Sequence, residues 1–424
     1  MLAPAPSSFE FIEGHPTTAL FSYSENAPAP LLRARQGERL DVTLRNRLDE
    51  PTTIHWHGIR LPNAMDGVPF LTQPFVYTNE TFAYSFALPD AGTYWYHPHC
   101  NSLEQLSRGL GGLLIVEEAR DPGFDADVAL NLRDFRLKPD GAFAPLFTPR
   151  QAARAGTLGA IRTANWLRAP TYDVPAGGLI RVRLAVTDVS RIYRLAVDGA
   201  AARIIALDGN PLREPRGLDV EPIGPGQRMD LVMRVDNSEE SLATILDHSV
   251  QPPAPLARLR SVGPSLRRDL RDVTALPPNP IAEPDLSAAQ TIPVALTASA
   301  EKAARNAFCG DLGYAFWALN GIAGAGESPD PFRPLAELKL GRSYVFEIHN
   351  RTPHAHPVHL HGMSFWPLRS DRRTLALPPT DTILVFPDER VDIALVADNP
   401  GDWLLHCHII EHQATGMTGV IRVT

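Results

Sequence analysis

The sequence predicts an all-β protein made of three consecutive β-sandwich domains. At three places a glycine begins an alternating apolar run, and a second glycine follows 21 residues later. Each run is typical of a strand with one buried face, followed by a turn and a second strand. The 40 prolines favour loops and edge strands, and helical periodicity is confined to short pieces around residues 100–108 and 299–307. The glycine pairs are Gly37 and Gly58, Gly178 and Gly199, and Gly341 and Gly362.

The repeats and the composition between them indicate where the domains end. The first unit closes before a polar turn at Asp121, and the third begins at about Thr291. The second ends near Arg234, and the Pro/Arg-rich tract that runs from there to Pro284 is predicted to be a linker and irregular surface. The predicted domains are domain 1 (1–122), domain 2 (123–288) and domain 3 (289–424).

Charge and composition exclude several classes of function. The net charge of -8 and the lack of a basic run argue against a nucleic-acid partner. No apolar stretch reaches the length of a membrane span, so we expect no transmembrane helix. The first residues lack the charged and apolar regions of a signal peptide, which we expect to be absent or replaced by Met1. Cys100 and Cys309 either form a disulfide, as in an oxidising compartment, or are free thiols.

The segment 406–417 concentrates metal-binding side chains. Two histidines and a cysteine with a weak axial methionine form the ligand set of an electron-transfer copper, and Cys407, His412 and Met417 supply three of these four. His406 and His408 flank the cysteine, and in an extended strand both would point away from it. The segment would then connect one copper to a second metal cluster. The alternative is a buried free cysteine beside core histidines.

Four His-X-His pairs predict that second cluster. Two pairs lie in domain 1 and two in domain 3, whereas domain 2 has Ala196-Val197-Asp198 at the matching place and is predicted to be a spacer without metal ligands. His356, three residues before His359, supplies the missing ligand of the first copper. A closed zinc site is the chemical rival, but its four ligands would leave most histidines unexplained. The pairs are His55 and His57, His97 and His99, His359 and His361, and His406 and His408; His15, His248, His349 and His354 are expected to be surface or structural residues.

With these four motifs the chain resembles the multicopper oxidases, specifically the three-domain laccase-like bacterial members. The resemblance covers nearly the whole chain and implies three cupredoxin-like Greek-key β-sandwiches and four copper ions per chain. It implies that a type 1 copper binds His356, Cys407 and His412, with Met417 axial. The implied ligands of the other coppers are His55 and His359 for type 2, and His57, His97 and His408 together with His99, His361 and His406 for the type 3 pair.

The resemblance also implies a mechanism. A reducing substrate gives up electrons near His412 or His356, Cys407 passes them to the three-copper cluster, and O2 is reduced there to two waters. Asp66 matches the family's carboxylate beside the water channel and is a candidate proton relay; the alternative is a turn aspartate before a glycine. Many bacterial relatives carry a glutamate where this chain has Gln413, which cannot release a proton, and Glu411 lies nearby in sequence.

Three classes of function compete for this sequence. A laccase-like enzyme oxidises phenols and aromatic amines, whereas a cuprous oxidase takes Cu(I) through a methionine-rich cover. The six methionines are not clustered, and Met363 is expected in the core, which favours an organic reductant. A copper store or scaffold would lose ligands, and here all twelve are present. We therefore expect a monomeric periplasmic or secreted oxidase that uses O2 and a small reductant.

Overall fold

The predicted all-β class is confirmed by a computed structural model, which describes residues 1–273, 275–298, 302–303, 312–324 and 333–424. Helix within these residues is limited to three short α-helices and two 3-10 turns at Asn63–Met65 and Leu270–Asp272. None of the helices in the described ranges has the length and apolar character needed to cross a membrane. The α-helices are α1 (Ser102–Ser107), α2 (Pro149–Ala152) and α3 (Ile410–Ala414).

The structure describes one of the two short helical pieces expected from the sequence. The piece around residues 100–108 contains α1 and is confirmed. The piece around 299–307 lies outside the described residues apart from 302–303, which pair as a strand. Cys100 is buried, and its proposed partner Cys309 lies outside the described residues.

Domain 1 brings its two histidine pairs together through adjacent strands. The strands are β1 (Ala5–Ile12), β2 (His15–Ser22), β3 (Leu32–Arg35), β4 (Arg39–Arg45), β5 (His55–His57), β6 (Thr81–Ala87), β7 (Gly92–His97) and β8 (Gly112–Glu117). A four-stranded sheet has the order β3-β8-β7-β5, and two two-stranded sheets, β1-β2 and β4-β6, complete the unit. Strand β5 runs antiparallel to β7 with His55 opposite His97.

Domain 2 is a two-sheet sandwich whose strands continue beyond Arg234, where the sequence predicted the end of the repeat unit. Its strands are β9 (Ala126–Phe135), β10 (Ile161–Ala164), β11 (Thr171–Pro175), β12 (Leu179–Val186), β13 (Tyr193–Asp198), β14 (Ala201–Leu207), β15 (Asn210–Gly217), β16 (Glu221–Ile223), β17 (Arg228–Arg234), β18 (Leu242–Asp247) and β19 (Ala254–Val262). The sheet orders are β10-β9-β12-β17-β14-β15 and β11-β19-β18-β13-β16. The prediction of a linker directly after Arg234 is therefore wrong for residues 242–262.

The physical reason for this error lies in the position of the prolines. Pro252 and Pro253 lie in the turn between β18 and β19, where no ladder hydrogen bond is needed. Pro255 lies at the start of β19, before the stretch Arg258–Val262 that pairs with β11. The prolines are therefore typical of the hairpin turn, and they do not indicate that the flanking residues form a linker.

Domain 3 places the segment 401–407 in the middle of a five-stranded sheet. This sheet has the order β24-β31-β30-β26-β28, and a seven-stranded sheet has the order β21-β23-β22-β20-β25-β29-β27. In the register of β26 against β30, His359 lies opposite His406 and Val358 opposite Cys407. The strands are β20 (Gln290–Thr297), β21 (Lys302–Ala303), β22 (Ala318–Leu319), β23 (Ile322–Ala323), β24 (Ala336–Leu338), β25 (Ser343–Asn350), β26 (His356–Leu360), β27 (Trp366–Ser370), β28 (Thr382–Val385), β29 (Arg390–Val396), β30 (Gly401–Cys407) and β31 (Thr418–Val423).

The hydrophobic core connects the two histidine-bearing units. One continuous cluster of buried apolar side chains includes residues of both units, from Leu2 to Val116 and from Val294 to Val423. A separate cluster fills the middle unit, from Leu130 to Leu259. Domains 1 and 3 therefore pack directly on each other, and the sites described below lie where they meet.

The second glycine of each repeat is required by the backbone and by close packing. Gly58, Gly199 and Gly362 have φ values of +86°, +77° and +66°. An added Cβ would lie 2.4, 2.3 and 2.1 Å, respectively, from its nearest neighbouring atom. Only glycine adopts this conformation freely and leaves this space.

Replacing Gly362 therefore tests the repeat. We expect Gly362→Ala to lower the free energy of unfolding by about 2–4 kcal/mol, because the new methyl group would overlap the Trp403 ring in a left-handed backbone. Gly341→Ala is the matched control, since Gly341 has a similar φ of +78° with nothing within 4 Å of the added Cβ. Its cost should be only about 1–2 kcal/mol. Equal losses in urea denaturation would contradict the packing argument.

Candidate metal centre

All twelve side chains predicted as ligands are buried. Each exposes at most 1 % of its surface, whereas His15 is exposed and His248, His349 and His354 are half-buried. Buried imidazoles need partners for both ring nitrogens, or they leave costly unpaired polar atoms. The twelve side chains fall into two groups.

The first group contains one thiol and two imidazoles. The Sγ of Cys407 lies 3.5 Å from the Nδ1 of His356 and 3.6 Å from the Nδ1 of His412. The two Nδ1 atoms are 3.0 Å apart. These residues come from the start of β26, the end of β30 and helix α3, so the sheet and the turn after it together build the site.

Met417 is held beside this group by the backbone. Its N–H donates to the carbonyl of His412 at 2.9 Å, and its own carbonyl accepts from the N–H of Cys407 at 3.0 Å. The Met417 side chain is fully buried in the same apolar cluster as Cys407. The loop after α3 therefore brings the backbone of Met417 next to that of Cys407.

Both rings make hydrogen bonds on their outer side. The Nε2 of His412 lies 2.7 Å from the carbonyl oxygen of Arg154, which can only accept, so Nε2 carries the proton and Nδ1 a lone pair. The Nε2 of His356 lies 2.7 Å from the Thr352 hydroxyl, which can accept from this ring while it donates to Asn350 at 2.8 Å. In that arrangement both Nδ1 atoms carry lone pairs that face each other, and a cation between them would stabilise the pair.

A bound cation would also allow the thiol of Cys407 to lose its proton. Burial raises the pKa of Cys407, which keeps the metal-free side chain protonated despite the N–H that Ile409 directs at its sulfur at 3.4 Å. A bound metal ion supplies the charge that converts a buried thiol into a thiolate. The donor set of one sulfur and two imidazole nitrogens fits copper.

The second group is a cluster of eight histidines, which we call the histidine cluster, shared between domains 1 and 3. His57 stacks on His359 with ring centroids 3.7 Å apart, and His55 stacks on His361 at 3.8 Å. Within domain 3, the Nε2 atoms of His361 and His406 are 3.0 Å apart. Three sets have ligand atoms within 4.8 Å of one another: His55, His57 and His97; His55, His359 and His361; His99, His361 and His406.

His408 completes the histidine cluster. Its ring centroid lies 4.9 Å from that of His57 and 5.3 Å from that of His97. His406 on the other side of Cys407 reaches His361, so the two neighbours of the cysteine contact opposite parts of the cluster. The alternation expected of an extended strand is therefore present at this point of the chain.

Hydrogen bonds to the outer nitrogen of four rings leave the inner nitrogen of each ring with a lone pair. His55, His97, His359 and His406 each place Nδ1 2.9 to 3.0 Å from a backbone carbonyl, which fixes the proton on Nδ1. Their Nε2 atoms then carry lone pairs. Among the described residues, the buried Nε2 atoms of His55, His97 and His359 have no hydrogen-bond partner. Unpaired buried nitrogens cost about 1–3 kcal/mol each, so this arrangement fits bound metal ions.

Two aspartates each contact one histidine of domain 1 and one histidine of domain 3. The carbonyl of Asp66 accepts from His55, while its carboxylate Oδ2 lies 2.9 Å from the Nδ1 of His361. The carbonyl of Asp381 accepts from His359, while its carboxylate Oδ1 lies 3.1 Å from the Nε2 of His57. Each aspartate thus supports one histidine of its own domain through the backbone and one of the other domain through the side chain.

Sequence reasoning found Asp66 and missed Asp381. Asp66 lies 11 residues after His55, whereas Asp381 lies 22 residues after His359, so no fixed spacing relates them. The sequence signal that could have found Asp381 is its position directly before the apolar strand β28. A carboxylate beside a buried strand is expected to bond with nearby polar groups.

Glu411 and Gln413 have different surroundings. Glu411 is fully buried and its carboxylate accepts from the N–H and hydroxyl of Thr157 at 2.5 and 2.6 Å and from the Ser190 hydroxyl at 3.1 Å. Both partners belong to domain 2, so Glu411 fastens α3 to that domain. The buried Oε1 of Gln413 has no hydrogen-bond partner within the described part of the chain.

The description of domain 2 as a spacer is incomplete. It provides the Arg154 carbonyl that binds His412, and it provides Arg228, whose guanidinium makes two hydrogen bonds to Asp381 at 2.7 and 2.5 Å. The middle unit therefore contacts the surroundings of both groups, although none of its described residues belongs to the metal-ligating sets.

Comparison with known proteins gives one consistent family. Two family profiles described as multicopper oxidase match residues 9–121 and 293–424. The crystal structure of a multicopper oxidase from Pseudomonas thermotolerans is 42 % identical with a TM-score of 0.91, covering 100 % of this chain and 98 % of that one. One from Pseudomonas parafulva is also 42 % identical, with a TM-score of 0.87 and coverage of 100 % and 99 %. A multicopper oxidase of Mycobacterium tuberculosis is 28 % identical over 98 % of this chain and 85 % of its own.

Burial of the cluster makes the stability of the metal-free protein depend on pH. Desolvation lowers the pKa of five imidazoles well below the ordinary value of 6.5, and neighbouring charges lower it further. In the unfolded chain the same rings bind protons near the ordinary pKa of ~6.5. The unfolded state therefore holds more protons below that pH, so acid favours unfolding. The five rings are those of His57, His97, His361, His406 and His408.

We expect the free energy of unfolding of the metal-free protein to be constant at high pH and to fall below about pH 6.5, by ~1.4 kcal/mol per pH unit for each ring. Urea denaturation at a series of pH values measures this slope. His15→Gln is the control and should leave it unchanged, because His15 is exposed. A flat profile down to about pH 5 would contradict the assignment of buried neutral imidazoles.

Proposed function

This chain belongs to the multicopper oxidase family of O2-using oxidoreductases, and we propose that it is a laccase-like member that oxidises phenols and aromatic amines. Electrons taken one at a time from the reductant would reduce O2 to two waters. The observation that carries the proposal is the pair of buried donor groups on either side of Cys407, one beside its sulfur and one around its two neighbours.

The proposed copper sites follow these two groups. His356, Cys407 and His412, with Met417 as axial ligand, would hold one copper that accepts electrons. The histidine cluster would hold three coppers that supply the reduction of O2. The proposed sets are His55 with His359 for type 2, and His57, His97 and His408 with His99, His361 and His406 for the type 3 pair; the inward lone pairs described above support them.

Cys407 is proposed to connect the two sites. Its sulfur belongs to the first group, and the peptide bonds on either side lead directly to His406 and His408 in the second. Pairing of β26 with β30 keeps this segment extended, which holds the two groups on opposite faces of one strand. No other described cysteine lies in a metal-ligating set.

Burial of His412 supports an outer-sphere reductant. The ring is fully buried and its outer edge is covered by the Arg154 carbonyl at 2.7 Å. A reductant would therefore deliver its electron across the peptide group of Arg154 without binding to the ring. We propose His412 as the catalytic residue through which the electron enters the first group.

The methionines do not support oxidation of Cu(I). Soft thioethers would have to line the approach to the first copper. Met363 exposes 2 % of its surface and belongs to the core, as expected from the sequence, and Met229 and Met233 are buried in domain 2. Met417 is already proposed as a ligand. An organic reductant is the better match to this chain.

Asp66 is proposed as the proton carrier for O2 reduction. Its carboxylate is buried against His361 at the edge of the histidine cluster, where protons are consumed. Glu411 does not fill this role in our proposal, because its oxygens are taken by Thr157 and Ser190. The domain boundaries 1–122, 123–288 and 289–424, a monomeric state and a periplasmic or secreted location remain parts of the same proposal.

Replacing the cysteine tests the connection. We expect Cys407→Ser to abolish the blue absorption and turnover together, while the protein keeps the copper of the histidine cluster, because only the thiolate is removed. Copper analysis, visible absorption and oxygen uptake with a phenol measure the three properties. Met363→Leu is the control, since it conserves volume at a buried position that is no ligand. Turnover that survives Cys407→Ser would refute the connection.

The choice of reductant tests the substrate class. We expect copper-loaded protein to consume O2 with a phenol or an aromatic diamine and much more slowly with Cu(I), because the six methionines of the sequence form no cluster that could cover the first copper. Oxygen uptake compared at equal reductant concentration measures this. Uptake with Cu(I) alone would replace the proposal by a metal oxidase.

A further inference from the structure

We propose that Arg228 of domain 2 is a positioning residue for the histidine cluster: it holds the Asp381 carboxylate against His57 and so sets which nitrogen of that ring faces the metal. This inference rests on the proposed function, because it concerns how the proposed cluster binds copper. It assigns a role to a domain that carries none of the proposed ligands.

The ion pair between Arg228 and Asp381 is geometrically well defined. Nη1 of Arg228 donates to Oδ1 of Asp381 at 2.7 Å, and Nη2 donates to Oδ2 at 2.5 Å. Such a two-pronged contact fixes both the distance and the plane of the carboxylate. Arg228 and Asp381 have only 0 % and 3 % of their side-chain surface exposed, so water does not compete for these bonds.

The rest of the guanidinium is satisfied by groups from other parts of the chain. Its Nε donates to the carbonyl of Thr93 at 3.1 Å, and Nη1 also donates to the carbonyl of Gly226 at 3.0 Å. The Tyr94 ring lies 5.8 Å from its centre. Thr93 belongs to domain 1, Gly226 to domain 2 and Asp381 to domain 3, so this one side chain lies where all three meet. A buried cation with this set of partners has little freedom to move.

The effect on the cluster passes through His57. A carboxylate paired with a guanidinium offers only acceptor oxygens, so Oδ1 of Asp381 at 3.1 Å requires His57 to donate from Nε2. Nδ1 of His57 then carries the lone pair, and this buried atom has no hydrogen-bond partner among the described residues. Four other rings are fixed by backbone carbonyls, whereas the Nε2 of His57 contacts two side chains, Asp381 and the Thr382 hydroxyl at 3.2 Å. The Thr382 hydroxyl itself donates to Oδ1 of Asp381 at 2.8 Å, so both contacts depend on the carboxylate that Arg228 holds.

The glycine after His57 makes room for this ion pair. A Cβ on Gly58 would lie 2.4 Å from Nη2 of Arg228 and 2.8 Å from Oδ2 of Asp381. At the equivalent position after His361, Gly362 instead faces the ring of Trp403. The repeat that relates the two histidine-bearing units therefore does not include this ion pair. Domain 2 contributes an arginine beside Gly58, and no described residue of domain 2 is among the nearest neighbours of Gly362.

Arg228→Lys tests the inference, because lysine keeps the charge but cannot form two parallel bonds. We expect the copper of the histidine cluster to be held about 10–100-fold more weakly, as is typical when a partner that orients a metal ligand is lost. The blue absorption should remain, because Arg228 does not contact His356, Cys407 or His412. Copper content after graded chelation, together with visible absorption and unfolding of the metal-free protein, measures these effects.

Arg181→Lys is the matched control. Arg181 lies on the neighbouring strand β12, is equally buried, and pairs with Asp230 at 2.7 Å and with Glu118 of domain 1 at 2.7 Å. Arg181→Lys should lower the stability of the metal-free protein to an extent similar to that of Arg228→Lys, and it should leave copper binding unchanged. If Arg228→Lys keeps full copper affinity and only lowers stability, the inference is overturned while the proposed function stands.

Asp381→Asn provides a second variant in case the lysine protein does not fold. An amide cannot accept from both arms of the guanidinium and from His57 at the same time, so the same selective weakening of cluster copper is expected. Unchanged copper affinity in this variant would also overturn the inference. Unmodified protein that binds no copper in the cluster would instead refute the proposed function.

Discussion

The structure depends on the burial of imidazole lone pairs between domains 1 and 3. Six of the eight rings use one nitrogen to bond with the surrounding protein and turn the other inward, so a positively charged ion at the centre would stabilise the cluster. The stacking of His57 on His359 and of His55 on His361 means that neither domain forms the cluster alone. The continuous apolar core shared by the two domains supplies the packing that keeps these rings in register.

The middle domain acts on this arrangement from outside. Glu411 is fastened to Thr157, the ring of His412 is covered by the Arg154 carbonyl, and Asp381 is held by Arg228. These contacts reach the turn after Cys407, the outer edge of the first group and the outer edge of the histidine cluster. The middle unit, whose described residues belong to no metal-ligating set, therefore fixes the surroundings of groups built by its neighbours.

The candidate ligand residues could be proposed from the sequence because metal binding demands particular side chains at short and regular spacings. His-X-His pairs, Cys407 and the glycine repeats are local patterns, and the all-β class follows from the same alternation. Asp381, Arg228 and the Arg154 carbonyl could not be predicted in this way, because their roles depend on contacts between residues far apart in the chain. A backbone carbonyl in particular leaves no trace in composition. The strands at 242–262 were missed because their prolines lie at a hairpin end.

Gly58 has a consequence for any exchange of the two histidine-bearing units. A side chain at that position would meet Nη2 of Arg228 and Oδ2 of Asp381, an ion pair that belongs to the two other domains. The equivalent position in domain 3, Gly362, faces the Trp403 ring instead. The two units therefore have different neighbours after their second histidine, and a chimaera with the same unit in both places would lack the contacts that one of the places requires.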